Sequence, residues 1–191
     1  MKSKFQRLPR VTEMAHDLIR RFVREGDRVV DATVGNGHDT KFLADLVGPT
    51  GKVFGFDIQQ SALASAVSRL GDCSWVELIC SGHETLPDYV EGEIRAAIFN
   101  LGYLPAGNKT ITTSPKTTCV ALGHAFERLS APGLINVVVY PGHEGGKDEA
   151  EAVEQWLETL DLATTTVAKW TVNNPSSSSP YLIAIVKTAT A

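Results

Sequence analysis

Between residues 11 and 24 apolar side chains return at helical spacing. Val11, Ala15, Leu18 and Phe22 fall on one line, with Met14, Ile19 and Val23 beside it. This predicts an amphipathic helix, with Thr12 as its cap and Gly26 beyond its end. The pattern then changes to short apolar runs that alternate with helical stretches. Strands are expected at 28–31, 52–57, 75–80, 95–100 and 133–140, and helices at 39–47, 60–70, 115–129 and 148–160. The last helix would turn Ala152, Val153, Trp156, Leu157 and Leu160 inward. Two further strands, 162–172 and 181–187, follow one another directly across a Ser/Pro/Asn loop at 173–180.

Alternating strands and helices imply a mostly parallel sheet covered on both faces. The two closing strands need only a short loop, so they must run antiparallel. The expected fold is a Rossmann-like α/β domain spanning 1–191. It has a seven-stranded, mostly parallel sheet, a C-terminal antiparallel hairpin, and residues 1–26 packed on it as a helical segment. Five strand–helix units and a final hairpin are the arrangement of class I methyltransferases.

Composition narrows the field without deciding it. The 191 residues are 43% hydrophobic and 21% charged, as expected of a globular domain with a sizeable core. No apolar run approaches the roughly 20 residues of a membrane helix, and the basic N-terminus lacks the apolar stretch of a secretory signal. No membrane partner and a cytoplasmic location are expected. Cys73, Cys80 and Cys119 lie far apart, without metal-ligand spacing, and are expected to be buried free thiols. The net charge is −4, yet residues 1–28 carry eight basic side chains against four acidic ones. A basic end on an acidic body suits contact with a phosphate backbone, or equally a solvated helix face.

Ligands of such sheets bind beyond the carboxyl ends of the strands. The first end, Asp31 to Asp39, contains Gly35 and Gly37. It has Thr40 where a dinucleotide site would place a third glycine. It suits a ligand whose amino acid end rests on the loop, with Asp31 accepting from an α-amino group; a tight structural turn explains the two glycines about as well. S-adenosylmethionine is such a ligand. Asp57 follows Gly35 by 22 residues, the distance at which an acidic group takes ribose hydroxyls; a capping carboxylate is the alternative. At the third end His83 either lies against an adenine or serves the structure. At the fourth, Asn100 precedes Gly102 and Tyr103. There an Asn carbonyl can accept from a target amine while the aromatic ring stacks on a base, and orientation alone supplies much of the catalysis. At the fifth, His143 in a glycine-rich loop either takes a proton from an ammonium group or pins the loop. No metal is required.

Five strings, DATVGNGHDT, FGFDIQ, SGHETL, FNLGYLPAGNKTITT and YPGHEGGKDE, together resemble a bacterial family that carries the label of rRNA methylases. The family resembles the tRNA 5-aminomethyl-2-thiouridine methyltransferases, which complete the methylaminomethyl group of the wobble uridine. The likeness covers roughly residues 10–187. It implies an S-adenosylmethionine-dependent enzyme with the tRNA anticodon loop as substrate. By motif match, Asp31, Thr33, Asn36, Gly37, His38 and Asp39 would line the methionine end. Asp57 and Gln59 would hold the ribose, and Ser81, Gly82 and His83 the adenine side. Asn100, Gly102 and Tyr103 would face the methyl. The chain departs from the family in Pro-Ala-Gly-Asn at 105–108, where Pro-Gly-Gly and an acidic residue are expected. A homodimer is expected, because so few basic residues need help to grip tRNA. Two other readings stand beside this one: methylation of rRNA or a small molecule, and binding of a nicotinamide nucleotide. Thr40 and the closing hairpin speak against the second.

Overall fold

The computed structural model describes residues 8–104, 111–172 and 179–188. The order is α1 (Val11–Phe22), β1 (Arg28–Asp31), α2 (His38–Val47), β2 (Lys52–Phe56), α3 (Gln60–Leu70) and β3 (Val76–Ile79). There follow a 3-10 turn (His83–Asp88), β4 (Ile94–Asn100), α4 (Pro115–Arg128), β5 (Leu129–Val139), α5 (Gly146–Leu157), β6 (Thr165–Thr171) and β7 (Tyr181–Lys187). One seven-stranded sheet runs β3-β2-β1-β4-β5-β7-β6. The first five strands in that order are parallel; β7 is antiparallel to both β5 and β6. The expected architecture is therefore present. Its last strand lies inside the sheet, between β5 and β6.

Two apolar layers sandwich the sheet. Phe54, Phe56, Phe99, Ile135 and Ile185 pack with Leu122 and Ala125 of α4 and Val153 of α5. On the other face Val29, Val53, Ile98 and Leu134 meet Ile19 of α1, Leu43 and Val47 of α2, and Leu63 and Ala66 of α3. Helix α1 reaches β5 and β7 through Val11 and Ala15, which pack on Val138 and Leu182. Asn136, buried in the middle of β5, donates to the Ala15 carbonyl at 2.8 Å and ties the helix to the sheet. None of the helices among the described residues is long and apolar enough to cross a membrane.

Several boundaries differ from expectation, each for a local reason. Thr12 does not cap α1. The N-cap is Arg10, whose backbone N–H donates to Glu13 at 2.8 Å, so a carboxylate inside the first turn satisfies it. Strand β5 begins at Leu129 rather than 133, because Leu129 pairs with Ile94 across a register shift. Helix α5 starts at Gly146, capped by left-handed Gly145, and ends at Leu157. The turn at His83–Asp88 is not visible in the hydrophobic pattern. The cysteines are free as expected but not buried: Cys80 is exposed, and Cys73 and Cys119 are half-buried.

Candidate active site

At the carboxyl ends of β1 to β5, where the strand order reverses between β1 and β4, lies an open cleft of about 1230 Å³. That volume exceeds the few hundred Å³ of a typical small-ligand pocket, leaving room for two ligands side by side.

Two of the expected contacts support this cleft from behind. Asp31 is fully buried, and its carboxylate accepts from the Thr33 N–H at 3.1 Å and the Thr40 hydroxyl at 2.6 Å. Burial, reinforced by the charge of Asp39, pushes its pKa up to about 7. It organises the loop from beneath. Thr40, odd as a dinucleotide glycine, is thus explained as the partner of Asp31. Gly37 has φ 75°, and a Cβ there would stand 2.7 Å from the Cα of Ala66. It serves the close approach of α2 to α3 rather than a ligand.

The remaining expected residues line the cleft: Thr33, Asn36, His38 and Asp39 from the first loop, Asp57 and Gln59 from the second, Ser81, Gly82 and His83 from the third. Asn100, Gly102 and Tyr103 enter from the fourth and His143 from the fifth. Asp57 accepts the Gly35 N–H on one oxygen and the Gln59 N–H on the other, both at 2.8 Å. It is a capping carboxylate that crosslinks two loops. Each oxygen keeps a second lone pair for a ligand hydroxyl.

Asn100 is held from two sides. Its backbone N–H donates to Thr33 Oγ1 at 2.8 Å, and its side-chain Nδ2 donates to Asp39 Oδ2 at 2.5 Å. A carboxylate only accepts, so the amide nitrogen must face Asp39 and the carbonyl oxygen must face away. That oxygen, Oδ1, is buried and has no partner. The other oxygen of Asp39 lies 2.6 Å from Nε2 of His16 on α1.

Both other ring residues have a fixed tautomer. His83 Nδ1 lies 3.1 Å from the Ala32 carbonyl, and His143 Nδ1 lies 2.8 Å from that of Glu144. A carbonyl accepts, so each Nδ1 carries the hydrogen, and in the neutral ring Nε2 presents a lone pair. Both Nε2 atoms are buried and unpaired. Burial holds the His83 pKa below its ordinary value, which keeps the ring neutral. His143 is both pinned, as one reading required, and equipped with a free lone pair, as the other did. Its ring stands edge-on to Tyr103, with centroids 5.8 Å apart.

Sequence reasoning missed Glu149, 1% exposed in the first turns of α5. Its two oxygens accept from the hydroxyls of Thr113 and Thr118, each at 2.7 Å. With its hydrogen so committed, Thr113 Oγ1 accepts the Gly102 N–H at 2.8 Å, and the Thr113 N–H returns to the Gly102 carbonyl at 2.9 Å. Tyr103 bridges to Thr112 one step further. A buried acid thus clasps the base of the loop that leaves the site at Leu104. The signal was available: Glu149, Val153 and Trp156 recur at helical spacing, which puts a charge on the apolar stripe. His16 was missed for the same reason, following Thr12 by one turn beside the buried stripe of α1. The departure at Pro-Ala-Gly-Asn (105–108) falls outside the described residues.

The family described as "Putative rRNA methylase" matches residues 53–186. The chain belongs to this family. It is 39% identical, over 81% of its length, to the protein of Arabidopsis thaliana named "tRNA (mnm(5)s(2)U34)-methyltransferase, chloroplastic", and spans 61% of that longer chain. The crystal structure of an rRNA methylase of that description from Clostridium thermocellum superposes with a TM-score of 0.91 at 43% identity, covering 95% of this chain and 100% of the other. A Streptococcus mutans methyltransferase solved in complex with SAH matches at 0.85 and 37% identity, over 95% and 99% of the two chains. The fold is that of the class I S-adenosylmethionine-dependent methyltransferases.

Proposed function

We propose that this chain transfers the methyl group of S-adenosylmethionine to the primary amine of 5-aminomethyl-2-thiouridine at the wobble position of tRNA, giving 5-methylaminomethyl-2-thiouridine. The observation that carries the amine is Asn100 Oδ1, a buried lone-pair donor left open because Asp39 holds the amide nitrogen. A buried acceptor without a partner is costly unless a ligand supplies the hydrogen. Among the described residues, the three unpaired buried polar atoms on this wall are Asn100 Oδ1, His83 Nε2 and His143 Nε2, all acceptors. The cleft therefore suits ligands rich in N–H donors, which an adenine amino group and an acceptor amine both are. The name of the plant relative supports tRNA.

When bound, the cofactor supplies a methyl already activated by its sulfonium leaving group. Thr33, Asn36, His38 and Asp39 would hold its methionine end, Asp57 and Gln59 its ribose, and Ser81, Gly82 and the neutral His83 its adenine. His143 Nε2 takes a proton from the ammonium form of the acceptor, freeing the nitrogen lone pair. Asn100 Oδ1 accepts a hydrogen bond from one of the remaining N–H groups and so orients that lone pair. The methyl that the cofactor would supply ends on this nitrogen, as a secondary ammonium. Tyr103, 37% exposed, would stack on the uracil ring.

Incorporation of labelled methyl into tRNA from cells that accumulate the aminomethyl base, with nucleoside analysis, tests this reading. Methylaminomethyl-thiouridine is the expected product. Incorporation only into ribosomal RNA would favour the reading that the family's description carries.

A further inference from the structure

The site contains a side chain that the mechanism above does not use. His16 projects from α1, outside the span matched by the family, and meets Asp39 on the first turn of α2. Its ring lies flat on Phe42, with centroids 3.9 Å apart and planes 7° from parallel. This stacking fixes the plane of the imidazole, and Asp39 Oδ1 lies 2.6 Å from its Nε2. An ionised carboxylate requires Nε2 to carry the hydrogen. Asp39 is therefore held between two donors, His16 on one oxygen and the Asn100 amide on the other. Among the described residues, no other side-chain hydrogen bond to Asp39 steadies it. A carboxylate with one oxygen released can swing, and the Asn100 amide would swing with it.

We propose that His16 is a positioning residue for methyl transfer: by donating to Asp39 it holds the carboxylate that clamps the Asn100 amide, and so sets the aim of Asn100 Oδ1 at the acceptor nitrogen. The proposal rests on the reading of Asn100 as the group that orients the amine. His16 touches neither substrate nor reacting atoms in this scheme. Its effect passes entirely through Asp39 and Asn100. The same contact makes α1 part of the site, since the helix that carries the ring also carries the basic Arg20 and Arg21 in its last turn.

The test uses the full chain with His16→Ala, His16→Gln, Asn100→Ala and the His16/Asn100 double variant. Turnover and KM are measured on aminomethyl-bearing tRNA, and cofactor affinity by titration calorimetry. The Asn100 side-chain amide protons are followed by NMR. His16→Ala should lower kcat roughly 10- to 100-fold, the scale of a misplaced orienting group, and by clearly more than it weakens cofactor binding, which Asp39 shares with the rest of the first loop. His16→Gln, whose amide also donates, should recover most of the loss. In wild type the Asn100 amide protons should show the downfield shift and slow exchange of a carboxylate contact, lost in His16→Ala and retained in His16→Gln. The double variant should be no slower than Asn100→Ala alone, because the two act in series. Losses that multiply, or an unchanged Asn100 amide signal in His16→Ala, would overturn the role of His16 while leaving Asn100 in place. Wild-type turnover in Asn100→Ala would overturn the reading of Asn100 and the role of His16 with it.

Discussion

Asn100 and Asp39 stand 61 residues apart in the chain and 2.5 Å apart in space, with the amide nitrogen of one on the carboxylate of the other. The contact does what neither residue does alone. It takes one of the two N–H groups of the amide and fixes its orientation, so that the acceptor Oδ1 is left buried without a protein partner. Removing that acceptor separates chemistry from binding. Asn100→Ala should lower kcat about 100-fold or more, on the scale of lost orientation, while cofactor affinity moves less than about threefold. Single-turnover kinetics and calorimetry together check this; equal losses in both would place Asn100 on the cofactor instead.

Asp57 should behave in the opposite way. Asp57→Ala removes the acceptor for both Gly35 and Gln59 N–H groups and the lone pairs offered to ribose hydroxyls. Charge-assisted hydrogen bonds contribute about 1.5–3 kcal/mol each, so cofactor affinity should fall at least about tenfold. The kcat at saturating cofactor should fall much less. Equilibrium titration of the variant decides the matter, and unchanged affinity would remove Asp57 from the ribose.

Asp31 gives the fold a pH dependence whose sign follows from its burial. Its folded pKa is raised to about 7, above the ordinary carboxyl value, so the folded protein holds a proton that the unfolded chain has released. This contribution is fully present below the unfolded pKa and is lost as pH rises through about 7. Between about pH 4 and 7 it should lower stability with rising pH, by at most about 1.4 kcal/mol per pH unit. Asp31→Asn should flatten that part of the profile. Denaturant midpoints across the range check it, and parallel profiles for the two proteins would refute it.

Glu149 is expected to matter to the loop as much as to the fold. Glu149→Ala leaves the Thr113 and Thr118 hydroxyls without their acceptor and opens a cavity, costing roughly 2–4 kcal/mol. Thr113→Val keeps the shape but removes the link to Gly102. It should raise the KM for RNA several-fold, with cofactor affinity intact. A Thr113→Val enzyme with wild-type KM would show that the clasp at Gly102 has no bearing on the substrate.

The architecture was legible because strands and helices announce themselves by local period. All seven strands and five long helices fall where the apolar pattern places them, within a few residues. The site was legible where a loop had to end a strand: Asp57, Asn100 and His143 stand at carboxyl ends and line the cleft. The failures share a cause. Asp31 and Gly37 look like ligand contacts in one dimension, yet one meets Thr40 on α2 and the other packs against Ala66 on α3. His16 and Glu149 lie on or beside apolar helix stripes, but the partners that hold them, Asp39, Thr113 and Thr118, come from other elements. Local spacing specifies which way a residue faces on its own element. It does not specify what the neighbouring element brings to meet it.

The place of β7 inside the sheet has a consequence for how the chain is made. During synthesis β5 emerges well before its antiparallel neighbour, and its edge, with the β-branched Ile135, Val137, Val138 and Val139, stays unpaired until residues 181–187 leave the ribosome. Open, apolar strand edges are the surfaces through which nascent chains stick to one another. For this protein the vulnerable interval ends only when β7 slots between β5 and β6. Yield in the cell should therefore depend on chaperone supply and translation rate, even for variants whose finished fold is as stable as the parent's.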